Sequence, residues 1–324
     1  MEIKTYIKEG LTFIIVSNSK GFTTTLSNLG ASIFSITKND TYLTLTPMDV
    51  STFKERFIYH GKTIGRVANR IENGEITINK KKYKLDINER SKTLHGGKEG
   101  FSNQLFDYEI INNIEECKVV FHYFSKDGEG GFPGDVDTRV TYTFLDNKNE
   151  INLLFEARSN KDTLLALTNH TYFTLGSDSI NNLKLRINAD KYVYPNPKDL
   201  IPLRELSVNG VMDFRNEKYI NKDIDNPFLD DGLIKGYDHH YIFNNEDTKH
   251  PQATLENDKY RLDIYTDFSG MQIYTDNAFD NIKWFGTSNK KRRAIALEPQ
   301  DSTLDRKVLV KNELYTRFIR YCFN

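Results

Sequence analysis

Residues 139–158 read RVTYTFLDNKNEINLLFEAR. Two runs dense in β-branched and aromatic residues flank Asp-Asn-Lys-Asn. Side chains two apart on a strand share a face, so the segment predicts a two-stranded antiparallel unit. The device recurs. NGEITINKKKYKLDIN (73–88) sets two short runs around a polar NKKK turn, and YRLDIYTDF (260–268) and LYTRFIRYCF (314–323) alternate in the same way. Helix signals are scarce: the strongest, VMDFRNEKYINKDI (211–224), is short and carries several poor helix formers. No long period of the kind that marks repeats or propellers is present. Many strands, short turns and almost no helix predict an all-β sandwich or barrel.

Composition limits what such a fold can serve. The chain has 324 residues, and β-sandwiches often reach such lengths as one unit. No Pro-, Ser- or Gly-rich linker divides it, so residues 1–324 are expected to form a single domain. Lys and Arg number 44 against 45 Asp and Glu, a net charge of -1, which argues against nucleic acid or an anionic membrane as main partner. Although 38% of residues are hydrophobic, 21 Phe and 18 Tyr can supply a large buried area. Two cysteines, Cys117 and Cys322, allow neither a disulfide framework nor a four-thiolate zinc site. The first residues, MEIKTYIKEGLTFIIVSN, lack signal-peptide character, and no apolar run approaches the roughly 20 residues of a membrane span. A cytoplasmic location is expected.

Five stretches carry side chains suited to chemistry. LTNHTYFTL (167–175) reads as a strand with a histidine in its middle, and alternation puts His170 on one face with Thr168 and Tyr172. Imidazole is the side chain whose charge changes near neutral pH. IGRVANRIENG (64–74) sets Arg66 and Arg70 around Asn69. A guanidinium fork suits carboxylates, phosphates and vicinal hydroxyls, while the plainer alternative is a pair of surface arginines before an Asn-Gly turn. LHGGKEGF (94–101) places His95 before paired glycines, which either let backbone approach a ligand or simply make a turn. Its spacing is not that of a phosphate-binding loop. In GYDHHYIF (236–243), Asp238 and His240 can share a face whereas His239 cannot, and no metal-ligand spacing accompanies them. RAIALEPQD (293–301) reads as a buried strand ended by Pro299, with Glu298 at its lip. Partial desolvation there raises a carboxyl pKa and makes a better base near neutral pH. Together these are the parts of a polar pocket on a β scaffold, with a glutamate base and a histidine acid. An acyl-transfer elbow, a dinucleotide fingerprint and the kinase motifs are missing.

GKTIGRVANRI, LHGGKEGF, NHTYFTLG, MDFR, DHHYIF, MQIYTDN and LEPQ follow one another from Gly61 to Gln300. In this order and spacing they resemble the galactose mutarotase (aldose 1-epimerase) family. The resemblance implies a large β-sandwich with few short helices and an open cleft for a free aldohexose such as galactose or glucose. It implies interconversion of the α and β anomers with no cofactor and no metal. By position it puts the proton donor on His170 and the base on Glu298. Sugar-binding residues fall on Arg70 and His95, with Asn69 beside the arginine, and the aspartate that grips hydroxyls falls on Asp238. Tyr172 and Gln272 match lesser contact positions. A carboxylate base and an imidazolium acid would give a bell-shaped pH profile, its acid limb from Glu298 and its alkaline limb from His170. The expected partner is a small aldose sugar, handled by a monomer or homodimer.

Departures from the family pattern bear on substrate preference and cleft shape. Thr174 stands where Asn is common, Phe106 where tryptophan is usual, and DSTLDRKVLV follows LEPQ in place of a Pro-Asp-Ala-x-Asn stretch. Two other functions suit the same fold. A hexose-6-phosphate mutarotase would need a cationic clamp for the phosphate. A sugar-binding protein without turnover would have no use for a matched acid and base. A glycosidase would instead pair Asp238 with Glu298.

Overall fold

Strand Val136–Leu145 pairs antiparallel with Glu116–Ser125 on one side and Glu150–Ser159 on the other. Its residues alternate between buried and more accessible along its length, as a strand covered on one face requires. The computed structural model, which describes residues 1–278, 281–285, 287 and 291–324, extends this hairpin into a nine-stranded sheet. A six-stranded sheet runs in the order Tyr172–Phe173, Ile295–Gln300, Gly270–Tyr274, Asp238–Ile242, Lys191–Pro195, Pro202–Ser207. A five-stranded sheet is formed by residues 2–42.

The two larger sheets bury their facing sides in one apolar cluster. Phe121, Val140, Phe155, Ile264 and Ile319 come from the nine-stranded sheet, and Phe173, Tyr241, Met271, Ile273, Ile295 and Leu297 from the six-stranded one. Each such side chain contributes about 1.5–3 kcal/mol on full burial. The expected all-β sandwich is observed. Among the described residues the α-helix is confined to one turn, Val50–Phe53, beside several short 3-10 turns. No helix among them is long and apolar enough to cross a membrane.

Three local expectations are corrected. Segment 211–224 is not a helix: 3-10 turns at Gly210–Met212 and Ile220–Lys222 flank a strand, Lys218–Tyr219, that pairs with Lys184 and Leu185 at the sheet edge. Pairing there outweighs weak helix propensity. LTNHTYFTL is not one strand but two, Thr168–Asn169 and Tyr172–Phe173, which pair with Thr63–Ile64 and with Ile295 and Ala296 respectively. His170 occupies the break. Finally, Pro299 does not end its strand, which runs through Gln300. It lies beyond the last backbone pairing with Tyr172–Phe173, where a missing N–H costs no ladder bond.

Candidate active site

The six-stranded sheet uses its second face for the site. Ladder register sets Gln272 opposite both Glu298 and His240, Tyr274 opposite Asp238 and Ala296, and Tyr172 opposite Ala296. Directly opposed residues point the same way, so Tyr172, Asp238, Gln272 and Glu298 all project from the face away from the core. A second wall comes from short elements above them. Arg70–Ile71 pairs with Thr93–Leu94, which carries His95 to the same side. Asn69, Arg70, His95, His170, Tyr172, Asp238, Gln272 and Glu298 all line one cavity of about 560 Å³. The structure thus brings every predicted site residue together.

His170 is fixed through its backbone at the strand break. Its N–H donates to the Lys62 carbonyl at 2.9 Å, and its carbonyl accepts from Gly61 N–H at 2.8 Å. Its Nε2 lies 3.3 Å from Oε1 of Glu298, with the side chains only 6% and 2% exposed. Burial pulls the His170 imidazole down to about 3. Burial, then the charge of Asp238, pushes the Glu298 carboxyl well above its usual range despite Arg70. Burial therefore disfavours the charged form of each group.

Around this pair runs a chain of polar contacts. Arg70 donates to both oxygens of Glu89 at 2.9 and 3.3 Å, and its NH1 lies 3.8 Å from Oδ2 of Asp238. Burial opposes its charge, but Asp238 and Glu89 outweigh that and keep Arg70 protonated. Gln272 donates from Nε2 to Oδ1 of Asp238 at 2.6 Å and accepts from Nδ2 of Asn69 at 3.0 Å. For Asp238, burial raises the pKa more than Arg70 and Gln272 lower it. Asn69 N–H donates to Nδ1 of His95 at 3.2 Å. The Nε2 tautomer follows, leaving an N–H donor on the other side of the His95 ring. Burial, then His170, holds that ring neutral. Asn69 and His95 both adopt left-handed backbone, with φ of 67° and 53°. For non-glycine residues this is a strained conformation of the kind that clusters at functional sites.

Other singled-out residues prove structural. Arg66 is 2% exposed and spends its guanidinium on Ser125 Oγ and on the carbonyls of Ser125, Lys126, Pro133 and Gly134. Neither arginine of the motif is a surface residue. Gly96 is needed because a Cβ there would lie 1.9 Å from the Gly65 carbonyl oxygen, so the close approach is to the chain itself rather than to a ligand. His240 shares the face of Asp238 but packs under the site against Gln300, with Nδ1 3.3 Å from Gln300 Nε2. Among the described residues no group of three or more His, Cys, Asp or Glu is placed to hold a metal. Phe106 packs against Phe101 and Tyr123, and Thr174 donates to the Tyr42 carbonyl; both lie off the cavity wall.

Sequence reasoning missed Glu89, Tyr59 and His60. Glu89 is held below the usual carboxylate range by Arg70 and Lys92 even though burial works to raise it. No motif marks Glu89, which reaches Arg70 only because the chain folds back there. Tyr59 and His60 directly precede GKTIGRVANRI and line the cavity. Two aromatic rings at the edge of that motif were the available signal.

Comparison with known proteins identifies relatives of the chain. Residues 13–322 match the family described as aldose 1-epimerase. The chain is 37% identical over 281 residues to the aldose 1-epimerase of Haemophilus influenzae, covering 82% of this chain and 78% of that protein. It is 36% identical to human galactose mutarotase, covering 73% of this chain and 66% of that one. The crystal structure of a galactose 1-epimerase from Lactobacillus acidophilus superposes with a TM-score of 0.89 at 26% identity, over 100% of this chain and 98% of that one. Sequence and fold agree that the chain belongs to the aldose 1-epimerase family of carbohydrate isomerases.

Proposed function

We propose that the protein interconverts the α and β anomers of a free aldohexose such as galactose or glucose, with Glu298 and His170 as its general base and acid. The observation that carries this reading is the buried His170–Glu298 pair, 3.3 Å apart, with both residues lining the cavity. Ring opening removes a proton from the C1 hydroxyl and adds one to the ring oxygen. The C1 hydroxyl donates to Glu298 and the ring oxygen accepts from Nε2 of His170, which favours the carboxylate–imidazolium arrangement of the proton the pair already holds. Glu298 then takes the hydroxyl proton while His170 gives its own to the ring oxygen. Rotation about C1–C2 presents the other carbonyl face, and the two groups exchange roles as the ring closes. Positioned transfer of this kind contributes about 10²–10⁴-fold. Arg70, Asp238, Asn69, Gln272 and His95 hold the hydroxyls, and Tyr172 closes one wall, so that only the C1 end moves.

The hexose-6-phosphate alternative is not favoured. Arg70 is already engaged by Glu89 and Asp238, and Lys235, the lysine on the cavity wall, pairs with Asp230. A cytoplasmic, single-domain enzyme with no nucleic-acid or membrane partner belongs to the same proposal, supported by the near-neutral charge balance. Polarimetry of freshly dissolved α-galactose and α-glucose tests the reading. Enzyme-dependent acceleration toward the equilibrium rotation supports it, and an unchanged rate with both sugars refutes it.

A further inference from the structure

A histidine that delivers a proton is usually oriented through its second nitrogen, held by a carboxylate or carbonyl. His170 departs from this: among the described residues its buried Nδ1 has no hydrogen-bond partner outside its own backbone. Beside the Nε2 contact with Glu298, ring packing sets the plane of the imidazole: Tyr59 stacks on it at 5.8 Å and 23°, and His95 packs edge-on at 5.2 Å. The face of His170 stacks on Tyr172, centroids 5.0 Å apart at 22°. Tyr172 stacks in turn on His60 at 4.0 Å and 15°, and His60 packs on Trp284 at 4.3 Å.

His60 contributes its faces and not its edges to this column. Both of its ring nitrogens are buried, with no hydrogen-bond partner among the described residues. An unmade hydrogen bond on a buried polar group costs about 1–3 kcal/mol, so the imidazole is a poorer choice for stability than a hydrocarbon ring. The same segment also fixes the backbone of His170, since the neighbouring Gly61 and Lys62 supply both of its main-chain bonds. Ring plane and backbone are thus referenced to one piece of chain.

We propose that His60 is a positioning residue for His170, acting through Tyr172: the stack orients the imidazole that exchanges a proton with the sugar ring. This rests on the role of His170 proposed above. A tilt of the donor ring lengthens proton transfer without removing any group that grips the sugar, so the loss falls on kcat and not on KM.

The test uses four variants of the full chain, with kcat and KM from anomer equilibration and folding followed by circular dichroism. His60→Leu fills the space without a flat face, and His60→Ala leaves it empty. Each is expected to lower kcat about tenfold or more with KM within about twofold, the scale of a misplaced catalytic group. His60→Phe keeps the face and is expected to restore kcat and raise the melting temperature. Should His60→Ala fail to fold, His60→Leu and His60→Phe still decide the matter. Normal kcat in a folded His60→Leu overturns the proposal, as does a His60→Phe loss equal to that of His60→Leu, which would mean a nitrogen is needed. His170→Asn separates the two readings. Retained activity there refutes the role of His170 itself, whereas an inactive His170→Asn beside a normal His60→Leu refutes only the stack.

Discussion

Nε2 of His170 and Oε1 of Glu298 stand 3.3 Å apart although the two residues reach the cavity by different means. Glu298 projects from inside a continuous strand, whereas His170 sits where a strand breaks and changes partner. The break turns the histidine over the glutamate, and burial disfavours the charged form of each.

The pH profile of kcat/KM follows from the resting state of the pair. In the proposed mechanism its working form holds one proton, and burial, which disfavours both charged forms, would put that proton on Glu298 with His170 neutral before the sugar binds. Lowering the pH adds a proton to His170, which burial has pulled down to about 3, so the acid limb belongs to the histidine side. Raising the pH removes the proton from Glu298, which burial has pushed upward, so the alkaline limb belongs to the glutamate side. Because the groups couple, both limbs are properties of the pair. The measured midpoint of the acid limb is expected well below the ordinary imidazole value of about 6.5. A midpoint at or above that value would contradict an acid limb set by a lowered His170 imidazole.

Asp238 is expected to bind substrate without moving protons. Its Oδ1 accepts from Gln272 and its Oδ2 faces Arg70, so Asp238→Asn weakens a charged clamp and leaves the His170–Glu298 contact in place. A hydrogen bond to a charged group contributes about 1.5–3 kcal/mol, which corresponds to a rise in KM of about 10- to 100-fold with turnover still measurable. Initial-rate kinetics check this. Unchanged KM with turnover as low as in Glu298 variants would assign Asp238 a chemical role.

Much of the site was legible because its residues lie in compact sequence motifs. Strand alternation separated Asp238 from His239, and the ladder register bears that out. What the sequence did not reveal depends on closure of the fold. Glu89 reaches Arg70 only through a turn that brings residues 89 and 92 back over the motif. The break in LTNHTYFTL is hard to see locally, since the segment is dense in β-branched and aromatic residues; it arises because two different strands claim the two halves. Desolvation of the pair, which disfavours the charged form of both groups, is likewise a property of the assembled sheets.

Lys62 predicts a stability effect independent of catalysis. Among the described residues its ammonium is buried with no hydrogen-bond partner, facing the Phe53 ring at 4.9 Å. Burial lowers it from 10.5 to about 7. Above both values lysine is neutral in folded and unfolded chains and carries no penalty. Between them the unfolded chain is protonated and the folded one is not, so stability falls as pH falls, reaching a penalty of about 5 kcal/mol at and below neutrality. Lys62→Met removes the amine and keeps the volume. Denaturant unfolding at pH 7 is expected to show a midpoint raised by a few kcal/mol equivalent at unchanged slope. The gain should vanish toward pH 10.5. A destabilised variant would show that the amine has a favourable partner.

The most direct test of the central claim is a double-mutant cycle on Glu298 and His170, read as the rate of equilibration of fresh α-galactose by polarimetry. Glu298→Gln and His170→Asn are nearly isosteric, and each removes one half of a single exchange. Each is expected to lose about 3–5 kcal/mol of transition-state stabilisation, the full range of positioned proton transfer. The double variant is expected to lose little more than either, because the two act as a unit. Near-normal turnover in either folded single variant, or losses that simply add in the double variant, would contradict the shared-proton mechanism.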